Sequence, residues 1–172
     1  MRGFRLTASL ILSIALFYCL AAQAIAAPAQ GPSVAAIFLK LDGISGASTD
    51  DKHAGEIELV SFNWSESNKD KGKPDPHDAL VLKAIDATTP RLAEAVAEGK
   101  TIPQALVTVR AIVGGKPIDL VQYVFSDVQI TVVSHTVIQR AEEQVQFKYG
   151  KLLIRYLGSD GKTVEATATK EK

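Results

Sequence analysis

The sequence predicts a mainly β domain, a barrel or a sandwich, carrying one helical appendage. Three observations lead there. From Ala35 onward apolar and polar residues alternate with period two in runs rich in Val, Ile and Thr, the pattern of strands that bury one face. One segment alone, Thr89 to Gly99, has helical spacing between good start and stop residues. The chain of 172 residues shows no internal repeat and is long enough for one domain with a real core.

The N-terminus has the three-part layout of a secretory signal peptide. Met1-Arg2-Gly3-Phe4-Arg5 is basic, Ala8 to Ala22 is almost wholly apolar, and small residues stand at Ala24 and Ala26. An apolar run of about fifteen residues is short of the ~20 needed to span a bilayer, so removal near Ala26 and Ala27 is favoured over a retained anchor. No lipobox precedes Cys19. The expected organisation is a leader over residues 1–26, a linker over 27–34, a domain over 35–157 and a polar tail over 158–172. Without its first 26 residues the 172-residue chain keeps 146. Cys19, the only cysteine, leaves with the leader, so no disulfide holds the fold and the core must do so. Arg2 and Arg5 also leave, so 17 of the 19 basic residues face 19 acidic ones, a formal charge near −2. That balance points away from nucleic acid and anionic membranes as partners. The expected location is secreted or periplasmic, with no membrane anchor after cleavage.

In chain order, "AAIFLKL" (Ala35 to Leu41) is the first strand, followed by a polar, Gly-containing loop from Asp42 to Gly55. In "EIELVSFNWS", Ile57 and Leu59 share one face while Val60, Phe62 and Trp64 share the other. The buried side therefore switches near Leu59 and Val60, by a β-bulge or by a strand shared between two packing surfaces. Glu66 to His77 combines charge, Gly and two prolines and reads as an exposed loop. "ALVLKAI" (Ala79 to Ile85) is the third strand. The helix has Thr89 as N-cap, Pro90 at its first position and Gly99 at its end. Leu92 and Val96 lie on one face, with Ala93 and Ala97 as a small, close-packing surface. A helix of about ten residues is marginal alone and must dock on the sheet. Gln104 to Val113 is a strand, Gly114-Gly115 a hairpin turn, and Ile118 to Ser134 a strand too long to stay straight, with a bend expected near Asp127. "EQVQFKY" and "KLLIRYL" follow, with Gly150 between them as a bulge or kink. The tail from Gly158 is polar and expected to fray. The total is about seven or eight strands.

No active site emerges from the residue pattern. The stretch "DDKHAGEIEL" (Asp50 to Leu59) gathers six charged or titratable residues, yet adjacency in sequence does not make them converge on a pocket. His53, His77 and His135 are far apart and lack cysteine partners, so they read as surface histidines rather than metal ligands. "DGISGASTDD" lacks the order of a calcium loop. Gly161-Lys162-Thr163 resembles the end of a phosphate loop, but the glycine required before it is Tyr156. Glu56 and Glu58 share a strand face, whereas glycosidase carboxylates face each other across a cleft. There is no G-x-S-x-G elbow and no cysteine outside the leader. The reading is a protein that is not an enzyme and needs no cofactor or metal.

Four segments together resemble the Hcp family, the haemolysin co-regulated tube proteins of type VI secretion. They are "IFLKLDGISGASTDDKHAGEIELVSFNW", "DATTPRLAEAVAEGKTIPQALVTV", the Gly114-Gly115 hairpin continuing to "VQYVFSDVQITVVS", and "EEQVQFKYGKLLIRY". The most specific positions are Lys40, Asp42 and Gly46, the His53 to Glu56 lead into the strand, Phe62-x-Trp64, and Thr89-Pro90 with Leu92. The likeness spans about Ala35 to Leu157. It implies a small closed antiparallel β-barrel with one flanking helix, six copies of which form a ring, with rings stacking into a tube that carries effectors in its lumen. Spike, sheath and effector proteins would be its partners besides itself. In such proteins the stretch matching Asp42 to Gly55 is an extended loop that reaches toward the neighbouring ring. Asp42, Ser48, Thr49, Asp50, Asp51, Lys52 and His53 would then serve recognition between subunits, and Asn63 matches a position facing the lumen. The chain departs from the family in its leader, since typical members have none and assemble in the cytoplasm within a contractile sheath. Met1 is the only methionine, so an internal Met start is excluded, while a non-Met start codon near Val34 is not. The link between Ser134 and Glu142 is also short. A second reading is therefore an exported, stand-alone binding module that kept the barrel and lost the machine. An exported hydrolase has little support.

Overall fold

Strand residues dominate the described part of the chain, which in this computed structural model comprises residues 31–70, 73–76, 78–137, 139–158 and 161–169. The leader and the start of the linker lie outside it, as does His77. The elements are β1 (Ser33–Leu41), β2 (Ile57–Glu58), β3 (Ser61–Asn63), β4 (Glu66–Asp70), β5 (Lys73–Pro76), β6 (Ala79–Ala84), α1 (Thr89–Glu98), β7 (Thr101–Val113), β8 (Lys116–Val137), β9 (Ala141–Lys148), β10 (Lys151–Leu157) and β11 (Thr163–Thr169). Nine strands form one antiparallel sheet in the order β2-β1-β7-β8-β9-β6-β3, with β10 and β11 branching from β8, while β4 and β5 pair separately.

The spine is β8, which bends as its length predicts. Asp127 takes a left-handed conformation at φ 55°, rare for a residue with a Cβ. Opposite it, β9 and β10 run along one side of β8 in continuous register, Lys148 facing Gln129 and Lys151 facing Ser126. Gly150 sits between them because a Cβ there would lie 3.0 Å from Asp127 Oδ2, and its N–H donates to the Ser126 carbonyl at 2.9 Å.

The switch at Leu59 and Val60 is a change of partner. Leu59 N–H donates to the Ile37 carbonyl at 2.9 Å and Val60 N–H to the Leu82 carbonyl at 2.7 Å, so the segment leaves β1 and joins β6 within one residue. This corrects the closed barrel. β2 and β3 end the hydrogen-bonded path and do not pair with each other, because they are successive pieces of one segment and only chain continuity joins them.

The core lies on the inner face of the sheet, where Leu39, Leu41, Ile57, Val81, Val107, Phe125, Val145, Phe147 and Leu152 are buried together. Phe125 meets Phe147 edge-on at 5.2 Å, and Trp64, half-buried at the margin, donates its indole N–H to the Tyr149 hydroxyl at 2.6 Å. The helix contributes Leu92 and Ala95. Ala93 and Ala97 are exposed, so the close-packing small residue is Ala95, three on from Leu92. The N-cap is Thr88 rather than Thr89. Its hydroxyl donates to Asp86 Oδ1 at 2.6 Å and makes no cap bond, while Gly99 at φ 60° closes the other end as expected.

Two segments read as irregular are strands. β4 and β5 form a two-stranded ribbon, where Pro74 and Pro76 are tolerated because each strand has a free edge. β11 pairs with β10 from Leu157 opposite Thr163 to Lys151 opposite Thr169. In it Val164, Ala166 and Ala168 alternate with Glu165 and Thr167, a period-two pattern that an Ala/Thr-rich composition hides, and Ala168 packs on the core.

Candidate functional site

The loop from Asp42 to Gly55 folds back on itself and onto the sheet. Gly46 N–H donates to the Gly55 carbonyl at 2.8 Å, Ser48 N–H to the Glu56 carbonyl at 3.0 Å, and Gly55 N–H to the Ser48 carbonyl at 2.8 Å. Gly46 is required by this approach, since a Cβ there would meet the Glu56 carbonyl oxygen at 2.3 Å. The Ser48 hydroxyl, buried, donates to Glu58 Oε1 at 3.0 Å and accepts from Asp50 N–H at 3.3 Å.

The loop covers the outer face of β1, β7 and β8. Phe38 points away from the main core, between Leu39 and Ile37 of the inner face, yet is only 3% exposed. His53 stacks on it with ring centroids 4.2 Å apart and planes within 8°, and the Arg110 guanidinium lies 5.3 Å from the Phe38 ring centre. His53 is itself 5% exposed, which corrects its reading as a surface histidine. Its Nδ1 lies 2.9 Å from Glu56 Oε2 and its Nε2 3.3 Å from Asp119 Oδ1. Arg110 donates from Nε to Asp119 Oδ1 at 2.9 Å and from Nη1 to Asp50 Oδ2 at 2.7 Å. Beneath the loop, Arg110 Nη2 and Thr108 Oγ1 are buried without a hydrogen-bond partner.

The charges tune one another. Burial alone would raise the Asp119 carboxyl, but hydrogen bonds from Arg110 and His53, with their charges, hold it below the ordinary range. Asp50 is held low first by the Lys52 N–H, against a burial penalty, and then by Arg110. Arg110 is raised, its two carboxylate partners outweighing burial.

The seven loop residues singled out from sequence thus divide. Asp42, Thr49, Asp51 and Lys52 are exposed and free to meet another molecule, whereas Ser48, Asp50 and His53 are turned into the loop's own network. Arg110, Asp119 and Phe38 were missed. The hairpin at Gly114-Gly115 held the signal for two of them, since counting outward along it sets Arg110 opposite Asp119. Asn63 is exposed on the outer face of β3 in a cross-strand row with Leu80, Gln146 and Val132. The adjacent row is Ser61, Leu82, Gln144 and Ser134, so these two rows carry no charge, while Glu142 and Lys148 flank them on β9 and Gln146 donates to Asp78 Oδ2.

A second cluster was also missed. Lys83 and Glu143, both 0% exposed, face each other across β6 and β9, with Lys83 Nζ 2.9 Å from Glu143 Oε2. Lys83 Nζ also reaches Asp86 Oδ1 at 2.9 Å and the Ala84 carbonyl at 2.7 Å, while Glu143 accepts from the Thr89 hydroxyl at 3.2 Å and meets His135 Nε2 at 2.8 Å. Every group is satisfied, and the network ties the start of α1 to the sheet. Strand parity signals it, because Lys83 follows Ala79 and Val81 on the inward positions of β6. Among the described residues no group of three or more His, Cys, Asp or Glu is placed to hold a metal ion, and no helix is long and apolar enough to cross a membrane.

Residues 38–156 match the family model described as "Type VI secretion system effector, Hcp". The chain is 30% identical over 107 residues to the protein hcp1 of Pseudomonas aeruginosa, covering 57% of this chain and 66%, just under two thirds, of that protein. Among solved structures it is similar to Hcp1 from Salmonella typhimurium, with a TM-score of 0.72 at 30% identity over 78% of this chain and 93% of that one. It is likewise similar to a type VI secretion system effector from Yersinia pestis, with a TM-score of 0.69 at 27% identity over 77% and 98%.

Proposed function

The chain belongs to the Hcp family of type VI secretion proteins, and from that premise we propose that it is a structural ring subunit without enzymatic activity. Six copies form a ring, rings stack into a tube, and the lumen carries effectors. The observation that carries this reading is the span of the family match, which runs from Phe38 in β1 to Tyr156 in β10 and so takes in the sheet, the helix and the folded loop. The two uncharged rows bearing Asn63, Ser61, Gln144 and Ser134 support a lumen wall, because uncharged polar groups offer cargo no fixed charge to stick to. The exposed Asp42, Thr49, Asp51 and Lys52 support contact between stacked rings. Spike, sheath and effector proteins complete the set of partners.

A ring needs each subunit to present two different, complementary surfaces, since its contacts are heterologous. Residues 27–172 should therefore sediment near six times the monomer mass, and a stable monomer at about tens of micromolar, well above the Kd of a standard-sized interface, would overturn the ring. The leader-like residues 1–26 favour a second reading, an exported stand-alone module with the same fold. Mass spectrometry of protein from its source decides the leader: loss of residues 1–26 is expected, and an intact Met1 would sink export. Sheath, baseplate and spike genes beside this one favour the tube over the module.

A further inference from the structure

We infer that His53 is a proton-operated latch, which holds the Gly46–Glu56 loop down on the sheet when the imidazole carries both protons and releases it when one is lost. The geometry carries this. Both ring nitrogens of His53 face carboxylate oxygens, Glu56 at 2.9 Å on one side and Asp119 at 3.3 Å on the other. An ionised carboxylate only accepts hydrogen bonds, so the imidazolium satisfies both contacts and neutral imidazole satisfies one, setting its remaining lone pair against an oxygen. Asp119 has no proton of its own to offer, because Arg110 and His53 keep it ionised.

The surroundings make loss of that proton consequential. Facing His53 are Glu56 and Asp50 from the loop, Asp119 from β8 and Arg110 from β7, with the Phe38 ring of β1 stacked beneath. Three carboxylates are thus opposed by Arg110 and His53, and a neutral His53 leaves Arg110 alone against all three. The closed loop also keeps Arg110 Nη2 and Thr108 Oγ1 dry and unpaired, so opening it returns two polar groups to water. Opening exposes Phe38 as well. Loss of the His53 proton therefore weakens the hold of the sheet on the loop. This rests on contacts within one subunit and stands whether or not rings form.

The sign of the pH effect follows. Asp50 and Asp119, held low, contribute stability lost only when pH falls below the ordinary carboxylate range, while the contact that needs both imidazole protons is lost when base removes one. Loop closure should be greatest between the two limits.

Hydrogen exchange of the full folded chain, read by NMR and corrected for intrinsic rates, tests this at the Arg110 Nη1 and Nη2 protons, since Nη1 bonds Asp50 of the loop and Nη2 is buried beneath it only while the loop is closed. Their protection should fall by about tenfold or more between pH 5.5 and 8.5, at no more than about tenfold per pH unit, the limit for one proton, with Val107 and Phe125 amides unchanged. Glu56→Gln, which can offer an amide donor to His53 Nδ1 in place of a carboxylate oxygen, should abolish the fall and keep the loop closed. His135→Gln should leave the fall in place. Flat protection in the wild-type chain, or an equal fall in His53→Gln, would overturn the latch. If His53→Gln does not fold, the 15N shifts of the His53 ring decide, since a singly protonated ring in a closed loop is equally fatal.

Discussion

Single side chains in this fold do work that their residue type does not announce. Lys83 occupies an inward strand position, and its ammonium is stabilised by three acceptors, one of them the buried Glu143. Lys83→Met should lower unfolding stability by about 3–5 kcal/mol in urea titrations, because a buried carboxylate loses its partner, while Lys83→Met with Glu143→Leu should recover most of the loss. Equal losses in the single and double variants would show that the pair is not coupled. Trp64 is half-buried and its indole N–H is bonded, so Trp64→Ala should cost about 2–3 kcal/mol, near or below the lower end for a core aromatic. Parity along β6 and β9 makes Lys83 and Glu143 legible in the sequence, as does pairing across the Gly114-Gly115 hairpin for Arg110 and Asp119. The burial of Phe38 and His53 is not legible. Both depend on where a loop lands, and that is decided by tertiary contacts no local pattern encodes.

Among the elements, the loop most changes what its composition implies. Its charge and glycines predict a solvated segment that could be cut out without harm to the subunit. In the structure it roofs Phe38 and pairs Arg110, so deletion of Ser48 to Lys52 should lower the thermal midpoint and raise binding of a hydrophobic dye. An unchanged midpoint would mean that the roof adds nothing. Gly46→Ala tests the same element gently. A Cβ at 2.3 Å from a backbone oxygen forces the loop to shift, and a loss of about 1–3 kcal/mol is expected. The helix was legible in extent because Pro90 and Gly99 punctuate it, although its cap lies one residue earlier than the residue type indicates. The two segments read as loop and frayed tail were not legible as strands. The proline-bearing ribbon has no β-branched residue, and β11, though it has Thr163, Val164, Thr167 and Thr169, sets only Ala166 and Ala168 beside Val164 on one face.

At the scale of the whole molecule, acid should unfold the protein through a few carboxylates. Asp50, Asp86 and Asp119 are all held below their ordinary range, Asp86 by Thr88 and Lys83 against burial. Each binds a proton more readily in the unfolded chain, so the stability it contributes is present above about pH 4 and is lost as pH falls through the folded values. Denaturant midpoints should hold from pH 7 to 5 and drop towards pH 3, and midpoints unchanged at pH 3 would contradict the assignment. The succession of strands was legible, whereas closure was not, because whether β2 and β3 pair depends on two hydrogen bonds at Leu59 and Val60 that leave in opposite directions. The order of pairing has a consequence for how the protein is made. β1 is the first of these strands to emerge during synthesis, yet its long ladder is with β7, so Leu41 must wait for Ala105 and Ser33 for Ile112. A chain halted after Glu98 should be digested by protease throughout β1, and the nascent protein stays threadable until its middle has been delivered.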